Sequence, residues 1–380
     1  MILVKDGAVI YFVLHYALFF CIFLDFLNVN QKVRHSVLIA LVVMITLFGG
    51  LRWKIGGDWS QYFYHFNHIN FENFLEYHRF DGRIMEFGYT FITAVLKYLF
   101  GTFWMYNLIT TGIIQFVRYK VCKALCGPYA LTTYCTMMLL SSNYFSVRSG
   151  LGMGVALASF YFIKKRALKG FVLTNLTSYF IHVQGIVMFP FYWIGYVKLN
   201  WKVFIGCLIL LSLFGYVFQA QFVSLASSFE GSSAGSVAAH YAGQYETVSD
   251  GSRAKGISTI MMNLFFSFLF LFVRKKRNLE KDVWFNGLLN MFLVQTAIYM
   301  VFSDGMSDIC RIAGLLIFAK ILLMLESVKY FKECGKKWQY YAVLFFYGMY
   351  LISKINSLDS GYYFYSCNVP YRTIFDYGLI

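Results

Sequence analysis

Charge is what this sequence has least of, and negative charge above all. Only 13% of its 380 residues are charged, and 18 Asp and Glu stand against 33 Lys and Arg. A soluble domain averages about 25% charged, so the deficit excludes an ordinary soluble globular chain. Proline is nearly missing, with three in the whole chain. That leaves long helices uninterrupted, and isolated strands in lipid could not satisfy their backbone. The eight Cys, among them Cys21, Cys135, Cys207 and Cys310 inside apolar stretches, show no metal-ligand spacing and read as small hydrophobes. No GxSxG, HExxH, Walker A or GxGxxG motif occurs in a usable context, which argues against nucleotide-driven chemistry and against metal-dependent hydrolysis by a known short motif. No metal or cofactor is implied. Neither an internal repeat nor a soluble domain stands out, and the first apolar stretch lacks a small-residue cleavage site and reads as an anchor.

What the chain does have is hydrophobic length. With 59% hydrophobic residues, it carries apolar segments near Ala8–Leu27, His35–Leu51, Phe87–Phe100, Phe103–Val117, Tyr129–Phe145, Ser149–Ile163, Gly170–His182, Val183–Val197, Trp201–Gln219, Ile257–Val273, Val283–Phe302, Ile312–Ser327 and Trp338–Ile352. A bilayer crossing takes about 20 such residues. The expected fold is all-α: one polytopic integral membrane bundle with about 12–13 transmembrane segments and short helices in its outer loops.

The net charge of +15 is distributed against a nucleic-acid partner. Positives gather in short inter-helix loops, at Arg118/Lys120/Lys123, Lys164-Lys165-Arg166 with Lys169, Arg274–Arg277 and Lys329/Lys332/Lys336/Lys337. This is the positive-inside pattern, with attraction to anionic headgroups added. From Arg118 onward it alternates cleanly, leaving Arg148, His182, the stretch 221–256, Ser303–Arg311 and the tail 354–380 outside. The N-terminal third has two solutions. In the favoured one, 52–86 is outside and a segment within Phe87–Val117 is re-entrant or broken; in the other, 52–86 is cytoplasmic and all 13 segments cross.

Ionisable residues near hydrocarbon are costly and usually line a cavity or pathway. Arg52-x-x-x-Gly56-x-Asp58-x-x-x-Tyr62 follows directly on an apolar segment. Its glycines permit a turn, Arg52 and Lys54 suit phosphate, and Asp58 can accept a sugar hydroxyl or a proton; a bland interfacial anchor with a capping Asp fits equally well. Glu86 opens the next apolar segment, where helix-dipole complementarity alone could explain it. Arg148, in Ser146-Val147-Arg148-Ser149-Gly150, needs either a protein carboxylate or an anionic ligand. The glycines after it serve tight helix packing. His182 stands between two segments and suits proton transfer, or simple hydrogen-bonded structure. The stretch 227–255 holds Tyr241, Tyr245 and Arg253 and has the length of a lid or binding loop. Asp304, Asp308 and Arg311 bring two acids and a guanidinium to the same face, for pairing with one another or for ligand and base roles.

Taken in order, these clusters resemble the EpsG-type family of polysaccharide polymerases, which is similar to the Wzy O-antigen and capsule polymerases. The resemblance covers nearly the whole chain and departs at Ser149, where the family often carries Gln. It implies a multi-pass protein of the bacterial inner membrane that joins lipid-linked repeat units at the outer face. A glycan on undecaprenyl pyrophosphate passes to an incoming lipid-linked unit, with the bilayer and a chain-length regulator as further partners. The leaving pyrophosphate needs cations, for which Arg52, Arg148, Arg253 and Arg311 are candidates, with Tyr62, Tyr241 and Tyr245 as further substrate contacts. The acceptor hydroxyl needs a base, for which Asp58, Glu86, His182, Asp304 and Asp308 are candidates. The competing functions are a lipid-linked oligosaccharide flippase or transporter and a membrane glycan ligase or O-acyltransferase.

Overall fold

A computed structural model describes residues 7–27, 29–78, 84–141, 144–211, 213–214, 251–302, 307–357 and 367–378. Among these the chain is all-helical, with β-pairing confined to isolated bridges at Arg52/Thr373 and His78/Ile84. It divides into two compact units, Met1–Phe189 with Phe345–Ile380, and Pro190–Leu344. Among the described residues, one helix, Gln31–Gly50, is long and apolar enough by length and composition to cross a membrane.

The first unit contains α1 (Val9–Phe23), α2 (Gln31–Gly50), α3 (Trp59–His68), α4 (Phe87–Phe100), α5 (Phe103–Cys126), α6 (Ala130–Ser141), α7 (Arg148–Leu157), α8 (Ser159–Lys165) and α9 (Leu168–Ile181). At one end, the α1–α2 turn meets the α5–α6 turn. Asp25 there is 3% exposed, accepts the Thr132 N–H at 2.8 Å and pairs with Arg34 at 3.3 Å, while Arg34 also donates to the Pro128 carbonyl. Lys164 donates to the Leu125 carbonyl at the same end. At the other end lie the C-terminus of α2, the start of α7, the C-terminus of α9 and the segment Cys367–Gly378. The basic loops and the Arg52–Arg148–His182 region therefore occupy opposite ends of this unit, as the charge pattern implies.

The α4 helix is tied at both ends to the last turn of α3 and the segment that follows it. Near its start, the Thr90 hydroxyl donates to the Phe74 carbonyl at 2.7 Å. Near its end, Lys97 Nζ donates to the Asn67 and Ile69 carbonyls at 2.5 and 3.1 Å. These acceptors lie in the last turn of α3 or just beyond it, and the Phe103 ring opening α5 packs on Trp53, Trp59 and Phe63. Fourteen residues span about 21 Å, short of the about 30 Å of hydrocarbon. α5, at 24 residues, reaches about 36 Å.

Two expected segments and one residue differ. Val183–Val197 is not one helix: a tight 3-10 turn, Val183–Met188, precedes the short α10 (Phe191–Ile194). The glycine-rich segment from Ser149 breaks at Ala158, whose N–H reaches back to Val155 rather than one residue further. Arg118, grouped above with surface lysines, turns inward; it is 8% exposed and its guanidinium meets Met138 Sδ at 3.4 Å.

The second unit holds α10, α11 (Trp201–Leu211), α12 (Gly251–Lys276), α13 (Val283–Phe302), α14 (Ser307–Glu333) and the start of α15 (Lys337–Asn356). Asn290 ties α13 to the Ile194 and Val197 carbonyls, each at 2.8 Å. Arg277 pairs with Glu326 and Glu333 at one end of α14. Lys320, midway along α14, is buried with its ammonium 4.4 Å from the Phe266 ring centroid.

Candidate functional site

Three residues that the sequence scatters over almost a hundred positions meet at one end of the first unit. Glu86 is the N-cap residue of α4, but its side chain caps nothing. It turns across to α7 and α9 instead. Oε2 accepts from Arg148, the first residue of α7, at 3.3 Å, and Oε1 stands 2.9 Å from Nδ1 of His182, which ends α9. The three side chains are 20%, 15% and 8% exposed, in the order Glu86, Arg148, His182.

Burial works against the Glu86 charge. The hydrogen bond from His182 and the Arg148 guanidinium outweigh it and hold the carboxyl down at about 2. An ionised carboxylate only accepts, so Nδ1 of His182 carries the proton and Nε2 is the basic nitrogen. Nε2 makes no hydrogen bond to any described residue. The guanidinium Nε of Arg148 is buried and likewise makes none, as does the buried Oε1 of Gln184 two residues beyond His182.

Backbone proximity makes this meeting possible. A Cβ on Gly152 would fall 2.6 Å from the His182 Cβ, so only glycine lets α7 run this close to the end of α9. The Ser178 hydroxyl donates to the Gly152 carbonyl at 2.6 Å and fixes the crossing. A Cβ on Gly88 would fall 2.8 Å from the Phe180 carbonyl, which brings α4 equally close. Ser146 starts α7 by accepting the Gly150 N–H at 2.9 Å and bonds the hydroxyl of Ser149.

Tyr62 packs behind this group. It is buried on α3, its hydroxyl lies against the Arg148 backbone, and burial followed by the nearby Asp58 charge pushes its pKa up. Asp58 itself is exposed at the N-cap of α3 with no capping bond. Arg52 points inward. It is 2% exposed, donates to the Gly49 and Phe145 carbonyls at 2.7 and 2.6 Å, and lies over the Phe145 ring at 5.2 Å. Burial lowers its pKa to about 10, and it stays charged. Of the other predicted residues, Tyr241, Tyr245 and Asp304 lie outside the described residues. Arg253 falls on the first turn of α12, and Asp308 and Arg311 on the first turns of α14, with side chains outside the described set.

Two structural features are not evident from the sequence motifs. Asn107 on α5 is fully buried, and neither amide atom has a partner among the described residues. Its signal was present as a polar stripe at helical spacing, Asn107, Thr110, Thr111, Gln115 and Arg118, all buried. Tyr371, 285 positions beyond Glu86 in the chain, stacks on Phe48, and no local pattern announces that contact.

The site is thus a carboxylate that bridges a guanidinium and an imidazole at one end of a helical unit. The model of the EpsG family matches residues 35–373, and the chain belongs to that family. The match runs through Arg52, Tyr62, Glu86, Arg148 and His182 and ties the chain to polysaccharide biosynthesis. No curated protein and no solved structure gave a match.

Proposed function

We propose that the protein is a multi-pass membrane glycosyltransferase that polymerises lipid-linked oligosaccharide units into O-antigen, capsule or exopolysaccharide. The reading rests on one observation above the rest: Glu86, Arg148 and His182 converge from three elements to offer a cation beside an oriented base.

In this account His182 Nε2 takes the proton of the acceptor sugar hydroxyl as the oxygen attacks the donor's anomeric carbon. The bond from that carbon to the pyrophosphate oxygen breaks, and its electron pair leaves with undecaprenyl pyrophosphate. Arg148 stabilises the negative charge that develops there, with its unsatisfied Nε as a further donor. Glu86 does not serve as the base, because a carboxyl held at about 2 has little proton affinity near neutrality. It keeps the imidazole in the Nδ1–H tautomer and stabilises the imidazolium formed. Arg253, Arg311, Tyr241 and Tyr245 remain candidates for substrate contacts. In this account α4 lies along the outer face rather than crossing, which would reconcile an outer 52–86 segment with inner lysines at Lys120 and Lys123.

The test is the lipid-linked glycan of a deletion strain. The proposed role predicts single repeat units on the lipid anchor, facing outward. Units trapped on the cytoplasmic side would indicate a flippase instead, and long polymer left on the lipid would indicate a ligase.

A further inference from the structure

The segment Cys367–Gly378 is a strap over the Arg52–Gly56 segment. Its bonds are to backbone and are specific in register. Trp53 N–H donates to the Arg372 carbonyl at 3.0 Å, Ile374 N–H to the Leu51 carbonyl at 3.0 Å and Gly56 N–H to the Cys367 carbonyl at 2.9 Å. Arg52 and Thr373 therefore face each other as an antiparallel bridge. Tyr371 locks the register from the other side. Its ring stacks on Phe48 at 4.5 Å with an interplanar angle of 7°, and its hydroxyl donates to the Phe48 carbonyl at 2.6 Å. Tyr11 of α1 donates to the Asn368 carbonyl at 2.6 Å, and Asp376 closes a capping box with Thr373.

The strap's grip continues inward through Arg52. One guanidinium nitrogen holds the Gly49 carbonyl, at the end of the helix that Tyr371 stacks on. The other holds the Phe145 carbonyl, three residues before Arg148. The Phe145 ring packs on Phe48 as well, 5.8 Å between centroids. A full charge buried on two neutral carbonyls, with no carboxylate partner among the described residues, is an expensive way to join two loops. What it supplies is rigidity: two donors in a fixed planar fork that set the distance between the end of α2 and the start of α7.

We infer that Tyr371 and Arg52 are positioning residues for Arg148: the strap fixes Arg52, and Arg52 fixes the loop that delivers Arg148 to Glu86. The inference rests on the function proposed for Arg148, while its structural half stands independently.

Two measurements on the full-length protein in detergent separate the halves. The first is hydrogen exchange. In Tyr371→Ala, exchange should rise in peptides covering 51–56 and also in those covering 144–151, and Tyr371→Phe, which keeps the stack, should change less. Exchange confined to 51–56 would overturn the inference. The second is affinity for farnesyl pyrophosphate. Tyr371→Ala and Arg52→Ala should each weaken binding about 10-fold, and the double variant by no more than the worse single, because both act through one path. Multiplying losses, or unchanged affinity in Tyr371→Ala, would overturn it. A parent protein that does not bind farnesyl pyrophosphate would count against the proposed function, and the exchange result alone would then decide the strap.

Discussion

Nδ1 of His182 lies 2.9 Å from one oxygen of Glu86, and the other oxygen of the same carboxylate takes Arg148 at 3.3 Å. Because Glu86 is held at about 2, it is a carboxylate near neutral pH and can only accept from the imidazole. In the proposed mechanism the imidazole exchanges protons and the carboxylate orients it.

Substituting Glu86 tests that division. Glu86→Gln keeps an oxygen able to accept from Nδ1 but removes the charge that favours the imidazolium. Chain extension should fall about 10–100-fold with the protein still folded, whereas Glu86→Ala, which also loses the orientation, should fall by about 100-fold or more. The length distribution of glycan made by the purified variants measures both. Equal, near-parental activity in the two variants would remove Glu86 from the mechanism.

Acid should undo this site in a defined window. Glu86 is depressed from an ordinary value of 4.5 to about 2, so its contribution to stability is fully present above about pH 5 and is lost as pH falls through the folded value. At about 1.4 kcal/mol per pH unit the contribution is on the order of 3 kcal/mol. Thermal melts of the parent should fall more steeply than those of Glu86→Gln between about pH 5 and pH 2, and the two should converge at the acid end. Parallel curves would show that the bridge contributes no stability.

Gly152 and Gly154 make an internal comparison on one helix. A Cβ at Gly152 would sit 2.6 Å from the His182 Cβ, while one at Gly154 would meet Ile114 at an ordinary 3.6 Å. Gly152→Ala should destabilise by about 1–3 kcal/mol and cost activity by displacing His182. Gly154→Ala should be neutral or stabilising by up to about 1 kcal/mol, the helix preference of Ala over Gly. Denaturation midpoints and chain extension of the two proteins check this.

The path of α4 is open to labelling. In a cysteine-free background, Gln61→Cys and Thr102→Cys should react with an impermeant maleimide from the same side of the membrane, and Lys123→Cys from the other. Thr102→Cys reacting only from the side of Lys123 would mean that α4 crosses.

Helix placement was largely legible in the sequence because it depends on local apolar runs and punctuation. Asn30 caps α2, and Gly101 takes a left-handed conformation to end α4. Val183–Val197 was misjudged because apolar composition does not distinguish a continuous helix from a 3-10 turn followed by a short one. At the site, Arg148 was expected to need either a carboxylate or an anionic ligand, and the structure supplies Glu86. The inward turn of Arg52 could not be read, because its acceptors are the main-chain carbonyls of Gly49 and Phe145, and carbonyls leave no trace in residue identity. Gly152 was assigned to packing, and its packing partner proves to be His182.

Elongation by the purified protein from lipid-pyrophosphate-linked repeat units bears most directly on the central claim, that Arg148 and His182 act together on one glycosyl transfer. Arg148→Ala and His182→Ala should each stop product at a single unit, a loss of about 100-fold or more, with Arg148→Lys recovering little because it loses the planar fork. A full-length ladder from either alanine variant would contradict the account.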